Sequence, residues 1–393
     1  MDYEKLLAER VKKMKPSGIR KFFDLLDDMK DVVALTVGQP DFVTPWHIRQ
    51  AAIDSLENGK TYYTSNSGLL LLREELSAYL NRRFGLPYTT KELGITVGGS
   101  EAIDLAFRAF IEPGDEVLIP MPCFVCYEPI VSMLHGIAVP IVTEEKDQFK
   151  LKPQALKNAI TSKTKILVLP YPNNPTGAIM TKEDLEGIAE VLRGTNILIL
   201  SDEIYAELTY GRTHTSIASL DGMWERTILV SGFSKAYAMT GWRLGYYAAP
   251  EPIAKQMLKI HQYAIMCAPT ASQFAAIEAL KEGDSDIQMM REEYNRRRKL
   301  IVNGLRKLGL SCFEPEGAFY VYPNISGYGM NSNTFCERLL TEERVAIVPG
   351  TAFGDCGEGF ARISYAYSVK HIEQALERIG RFIAKLKSEQ ANL

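Results

Sequence analysis

The sequence predicts an α/β protein built as two domains, and three observations lead there. The chain has 393 residues, beyond the size at which a single hydrophobic core stops growing. Short runs of buried-strand composition recur with helical patterns among them: Ile166-Leu167-Val168-Leu169, Ile197-Leu198-Ile199-Leu200 and Thr227-Ile228-Leu229-Val230. Each of these runs ends in a polar or glycine-bearing connection, the place where an open α/β sheet puts its ligands.

Bulk composition narrows the class. Hydrophobic residues at 46% and charged residues at 24% are ordinary for a globular protein. With 45 basic against 48 acidic side chains and the basic ones scattered, nothing marks a nucleic acid or an anionic membrane as partner. Met1-Asp2-Tyr3-Glu4-Lys5 carries acids and no apolar core, so no signal peptide is expected, and no apolar run is long enough to span a bilayer. A cytoplasmic location is expected. The six cysteines lie mostly alone. Cys123 and Cys126 have C-x-x-C spacing, which reads as a redox pair or, preferably, as ordinary buried thiols. The five histidines are dispersed, and no metal site is expected.

Taken in order, residues 5 to 14 have the spacing of a short surface helix, and Ser17-Gly18-Ile19-Arg20 follows. Residues 32 to 37 read as a strand entering the turn Gly38-Gln39-Pro40-Asp41-Phe42. Tyr62-Tyr63-Thr64-Ser65-Asn66 is a polar aromatic loop before the helix that opens at Leu70. The brief strand Ile95-Thr96-Val97 runs into Gly98-Gly99-Ser100-Glu101, which opens a helix. Two glycines and a helix N-terminus with unpaired N–H groups suit an anion. The dinucleotide fingerprint is absent, and by itself the serine reads equally as a cap. The Glu101 side chain is expected to turn away from such an anion and leave its backbone to bind.

The strand Glu116–Pro120 ends near Phe124, which reads as a core aromatic or as a ring that stacks on a ligand. Pro170-Tyr171-Pro172-Asn173-Asn174-Pro175-Thr176-Gly177 is too rich in proline to be regular, and such a stiff loop can fix one amide side chain. Thr181 and Asp184 have capping-box spacing for a helix that Gly194 closes. Asp202 stands at the end of an apolar strand, where its desolvation calls for a cationic partner, and Tyr205 follows three residues on. Helical patterns dominate beyond about residue 250. Residues 286 to 308 read as one long helix whose Arg296-Arg297-Arg298-Lys299 run is a salt-bridged solvated face. Residues 317 to 322 and 360 to 365 read as strands of a smaller sheet, and a terminal amphipathic helix follows. Arg362, flanked by apolar residues, calls for a carboxylate.

The chemistry concentrates in Ser231-Gly232-Phe233-Ser234-Lys235-Ala236-Tyr237-Ala238-Met239-Thr240-Gly241-Trp242-Arg243. Lys235 sits in the connection between two strand-like runs, where partial burial eases loss of its proton and lets the amine condense with an aldehyde. Arg243 adds a fixed charge with a fork suited to phosphate. An aldehyde that carries a phosphate is pyridoxal 5′-phosphate.

Together G-Q-P-D-F, G-G-S-E-A, P-N-N-P-T-G, S-D-E-I-Y, S-x-x-S-K with T-G-W-R, and F-x-R-I-S make the chain similar, over nearly its full length, to class I and II aminotransferases. The resemblance implies a fold type I pyridoxal phosphate enzyme. It implies a large domain over residues 46–284 with a mainly parallel seven-stranded sheet flanked by helices, and a small α+β domain from residues 1–45 and 285–393. It also implies a homodimer with active sites at the interface.

By the same resemblance Lys235 is the Schiff-base lysine, Asp202 pairs with the pyridine nitrogen, and Asn174 and Tyr205 reach the phenolic oxygen. Gly99, Ser100, Glu101, Ser234 and Arg243 hold the phosphate, and Phe124 stacks on the ring. Tyr63 crosses to the partner subunit's cofactor, while Gly38, Asn174 and Arg362 receive the substrate. One departure is Gly232, where many members have a phosphate-binding serine. The expected reaction moves an amino group from an L-amino acid to a 2-oxo acid such as 2-oxoglutarate. Ser100 stands where similar bacterial aspartate aminotransferases have a lysine, so aromatic or other apolar donors are expected to serve at least as well as aspartate. Two other classes are weighed. A β-eliminating lyase shares the cofactor residues. A non-catalytic regulator would need a fused DNA-binding module, and only 37 residues precede Gly38.

Overall fold

The computed structural model describes residues 1–14 and 29–391; the segment Ser17–Arg20 lies outside them. Strands β1 (Val33–Ala34) and β2 (Leu93–Thr96) come first, then β3 (Glu116–Met121), β4 (Ile137–Val142), β5 (Thr164–Leu169), β6 (Leu198–Asp202), β7 (Thr227–Gly232) and β8 (Gly245–Ala248). Strands β2 to β8 form one seven-stranded sheet in the order β2-β8-β7-β6-β5-β3-β4. Only β8 runs against its neighbours, as its ladders with β2 and β7 are antiparallel and the remaining ladders are parallel.

The near-continuous apolar runs of these strands follow from burial on both faces. Ile166 and Val168 of β5, Val117 of β3, Leu200 of β6 and Ile228 of β7 pack with Leu105 and Phe107 of the helix Gly98–Phe110. The alternate residues Leu167, Leu118 and Ile199 point the other way, into Leu185, Ile188 and Leu192 of the helix Lys182–Leu192. Each such side chain adds about 1.5–3 kcal/mol of burial, so Leu167→Ala should cost roughly 2–5 kcal/mol. The Lys182 helix begins at the predicted capping box, with Thr181 accepting from the Asp184 N–H, and the chain turns away at Gly194 with φ +76°.

A second core gathers both ends of the chain. Val33 and Leu35 pack with Phe319, Val345, Ile363 and Phe382. They surround a three-stranded antiparallel sheet of β9 (Tyr320–Val321), β11 (Val348–Pro349) and β12 (Ala361–Ser364), and the parallel pair of β1 with β10 (Val345–Ala346).

Several expectations are corrected. The N-terminal helix is two short pieces, Tyr3–Leu6 and Glu9–Lys13, and the first buries no side chain, so packing does not join them. Strand β1 holds ladder partners for two residues only, because Thr36 to Gly38 leave the sheet for the wall of a cavity. Strand β4, half-exposed along its length, was not anticipated from a pattern that lacks clean alternation. The basic run at 296–299 is a solvated face only at Arg296 and Lys299. Arg297 is buried against Asp41 (2.7 Å) and Glu293 (2.8 Å), and Arg298 against Glu314 (3.0 Å) and the Pro315 carbonyl (2.9 Å). The expected pairing of Glu293 with Arg297 is present, and Arg296 also takes Glu293 as its partner rather than Glu292.

Candidate active site

A cavity of about 390 Å³ opens where β2, β6 and β7 end and meets the second core at Thr36–Gln39, Tyr320 and Arg362. Strand ends place the chemistry here because the backbone leaves the ladder and side chains turn inward. Eleven of the expected residues line this cavity: Gly38, Gly99, Ser100, Phe124, Asn174, Asp202, Tyr205, Ser234, Lys235, Arg243 and Arg362.

Lys235 lies in a single helical turn directly after β7. Its Nζ donates to the Gly38 carbonyl at 2.5 Å and stands 5.7 Å from the Tyr205 ring centroid. The side chain keeps some surface toward the cavity, but protein packed densely around the amine desolvates it. That desolvation, with Arg362 and Arg243 nearby, brings its pKa down to about 8 against an opposing pull from Asp202. An amine so poised is a nucleophile close to neutral pH.

Asp202 ends β6 and is buried. Burial raises its carboxyl pKa, while hydrogen bonds from the Tyr127 hydroxyl (2.7 Å) and the Ile204 N–H (3.2 Å) favour the carboxylate. Sequence reasoning missed Tyr127, whose only signal is its place six residues after the end of β3. Asn174 is held by its neighbour: Asn173 donates to the Pro170 and Pro122 carbonyls and accepts from Thr176, which stiffens the loop. Asn174 then accepts from Arg362 Nη1 at 3.0 Å.

Arg362 is buried on β12 between the rings of Tyr320 (4.6 Å) and Phe353 (4.7 Å). It donates to the Thr36 carbonyl, and its Nε has no partner. A guanidinium that lines a cavity and keeps further N–H groups on Nη1 and Nη2 beyond those already spent is a carboxylate receiver.

The opposite wall is cationic. Gly98 opens its helix at φ +75°, and a Cβ there would come 2.7 Å from Arg243 Nη2, so the missing side chain lets the guanidinium lie against the helix N-terminus. The Glu101 side chain turns away as expected, accepting from the Val97 N–H and meeting His261 Nδ1 at 2.6 Å. At Gly232 a Cβ would stand 2.9 Å from the Gly245 Cα and 3.0 Å from the Leu244 carbonyl, which explains glycine at that position. Ser231 instead donates to the Glu203 carbonyl.

Tyr63 does not join this cavity; it is exposed on the loop after the helix Trp46–Glu57. Cys123 and Cys126 are free thiols pushed up in pKa by burial, in keeping with the unreactive reading. No cluster able to hold a metal ion occurs among the described residues.

The description "aminotransferase class I and II" matches residues 30–379. The chain belongs to this family. It is 53% identical over 380 residues to a Bacillus subtilis protein named as an aminotransferase, YugH, covering 96% of this chain and 98% of that one. It is 43% identical to an aspartate aminotransferase of Pyrococcus abyssi, over 97% of this chain and 99% of that one. The crystal structure of an aromatic aminotransferase from Pyrococcus horikoshii superposes with a TM-score of 0.89 at 44% identity, over 93% and 99% of the two chains. The protein is thus an aminotransferase of fold type I, and its cofactor is pyridoxal phosphate. Lyase chemistry is not favoured by these relatives. The cavity fits the cofactor: it offers an anion cradle at Gly98 and Arg243, a reactive amine between, and a buried carboxylate beyond. Among the described residues, no helix is long and apolar enough to cross a membrane.

Proposed function

We propose that this aminotransferase takes its amino group from aromatic or other apolar L-amino acids at least as readily as from aspartate, and passes it to a 2-oxo acid such as 2-oxoglutarate. The supporting observation is a count of cations. Among the described residues lining the cavity, Lys235, Arg243 and Arg362 carry positive charge. With cofactor and substrate bound, the first would be committed to the cofactor aldehyde, the second to its phosphate and the third to the α-carboxylate. None is left for a second carboxylate, and Ser100 offers no charge. Lacking one charge-assisted hydrogen bond costs about 1.5–3 kcal/mol, a tenfold or greater loss of preference for aspartate.

The roles are those that the family resemblance implies, and the cavity lining supports them. The helix N-terminus at Gly99, Ser100 and Glu101, together with Ser234 and Arg243, holds the phosphate. Phe124 covers one face of the ring, Asp202 keeps the pyridine nitrogen protonated, and Asn174 and Tyr205 address the phenolic oxygen. Bound pyridoxal phosphate supplies the electron-accepting ring that stabilises the substrate's α-carbanion. The Lys235 amine would carry the α-proton on Nζ. Gly38 and Asn174 confine the substrate beside Arg362.

The working unit is read as a cytoplasmic homodimer in which Tyr63 serves the partner's site, and its exposure on the described chain supports this. The domain division is placed at residues 46–284 against 1–45 and 285–393, in keeping with the second core drawn from both ends. Single-turnover amino transfer from phenylalanine, tyrosine, alanine and aspartate tests the substrate reading; a specificity constant for aspartate far above the other three overturns it. Ammonia release without a 2-oxo acid would mark elimination instead.

A further inference from the structure

Tyr320 was not singled out in the sequence, and it touches three parts of the site at once. It faces Ser364 across the β9–β12 ladder, so its side chain shares a face with Arg362, two residues along β12. Its ring lies 4.6 Å from the Arg362 guanidinium. Its hydroxyl is 2.8 Å from that of Tyr205. The same hydroxyl occupies the place beside Gly38 where a Cβ would otherwise stand, at 2.2 Å. The ring is fully buried, and Tyr205 is its hydrogen-bond partner.

Two phenols in contact share one hydrogen bond, and its direction decides what the second proton does. If Tyr205 donated to Tyr320, its proton would be spent inside the wall. If Tyr320 donates, the Tyr205 proton is free to enter the cavity, and the bond it receives makes it a stronger donor there. We propose that Tyr320 is a positioning residue: it donates to Tyr205 and aims the Tyr205 hydroxyl at the cofactor's phenolic oxygen, and through its ring it makes that aim responsive to a carboxylate on Arg362.

The coupling has a definite sign. The guanidinium beside the ring draws electron density from the phenol and strengthens it as a donor. A substrate carboxylate neutralises that charge, so Tyr320 donates more weakly and Tyr205 holds the phenolic oxygen less firmly. The phenolic oxygen's negative charge is then less stabilised, and the proton that titrates beside it is held more tightly. Carboxylate binding at one end of the cavity thereby reaches the cofactor some residues away, without movement of either domain.

The inference rests on Tyr205 addressing the cofactor, and its test separates the two. Tyr320→Phe keeps the ring under Arg362 and removes only the hydroxyl. The pH midpoint of the visible absorption change is measured for the cofactor-loaded wild type, Tyr320→Phe, Tyr205→Phe and the double variant, with and without 3-phenylpropanoate as a carboxylate that brings no amine. Thermal unfolding of each protein checks that it is folded. Tyr320→Phe should raise the midpoint by roughly 0.3–1 pH unit, the effect of one lost hydrogen bond. The double variant should match Tyr205→Phe alone, and the upward shift caused by 3-phenylpropanoate should fall by at least about half in Tyr320→Phe. An unchanged midpoint in Tyr320→Phe alongside a shifted one in Tyr205→Phe overturns the proposal and leaves the reading of the site intact. Additive shifts overturn it as well, because Tyr320 would then act other than through Tyr205. No shift in either variant removes Tyr205 from the cofactor, and both ideas fall.

Discussion

At Lys235 a single desolvated amine sets both reactivity and a cost in stability. In the cofactor-free protein its pKa of about 8 lies below the ordinary 10.5, so between these values the unfolded chain binds a proton that the folded chain has lost. Stability therefore rises with pH through that window. Below it, the charged buried amine costs up to about 3 kcal/mol, reduced where cavity water solvates it. Lys235→Met in the cofactor-free protein should be more stable than wild type at pH 7, and denaturant titrations should find the gap closing toward pH 10. The same variant should resist covalent attachment of the cofactor by borohydride, and retained attachment would assign the chemistry to another lysine. Asp202 acts on charge instead. Under the proposed pairing with the pyridine nitrogen, Asp202→Asn keeps the shape but loses the charge that holds that nitrogen protonated, so turnover should drop by at least about 100-fold while the fold persists. A near-normal rate would mean that some other group does this.

At the scale of elements, the cradle is made by backbone more than by side chains. Gly98 combines a left-handed φ with the close approach of Arg243, so Gly98→Ala both strains the turn and displaces the guanidinium. Affinity for pyridoxal phosphate, measured by equilibrium dialysis, should weaken roughly tenfold or more, with little change in the spectrum of what does bind. Unaltered affinity would show that Arg243 does not depend on that cradle. The Pro170–Gly177 loop and the strand ends act alike: they hold Asn174 and Asp202 still, and side-chain hydrogen bonds from Asn173 and Tyr127 finish the placement.

Across the molecule, polar ties supplement the apolar contacts, such as those of Tyr322 and Val348, through which the two cores meet. His47 is one. Its Nδ1 meets Glu278 and its Nε2 meets Asp286, each at 2.9 Å, so it joins three helices near the point where the chain passes from one core to the other. Partial burial pulls its pKa down, but the bonds to Asp286 and Glu278 win and hold it above 6.5. A raised histidine contributes stability that is fully present below the unfolded pKa and lost as pH rises through the folded one. His47→Gln should therefore destabilise the protein at pH 6 and matter less at pH 8.5, by thermal unfolding at both values. An equal effect at both would reduce His47 to packing.

What the sequence determined by itself is the set of groups whose chemistry needs a particular residue type beside a particular strand end. Lys235, Asp202, Asn174 and Arg362 stand out because each is a charged or amide residue beside an apolar run or in a proline-stiffened loop, within a string that resembles the family's. Apart from its edge strand β4, the central sheet was equally legible in its apolar runs, since burial on both faces leaves no polar alternation to confuse. Tertiary structure decided the rest. Tyr127 and Tyr320 look like ordinary core aromatics in the chain, and only folding brings their hydroxyls to Asp202 and Tyr205 from 75 and 115 residues away. The same holds for Arg297, which reads as a solvated helix charge until Asp41, 256 residues earlier, closes over it. A local pattern records what a residue does with its neighbours along the chain. Partners that arrive from elsewhere leave no mark there, because hydrogen bonding and desolvation depend on distance in space.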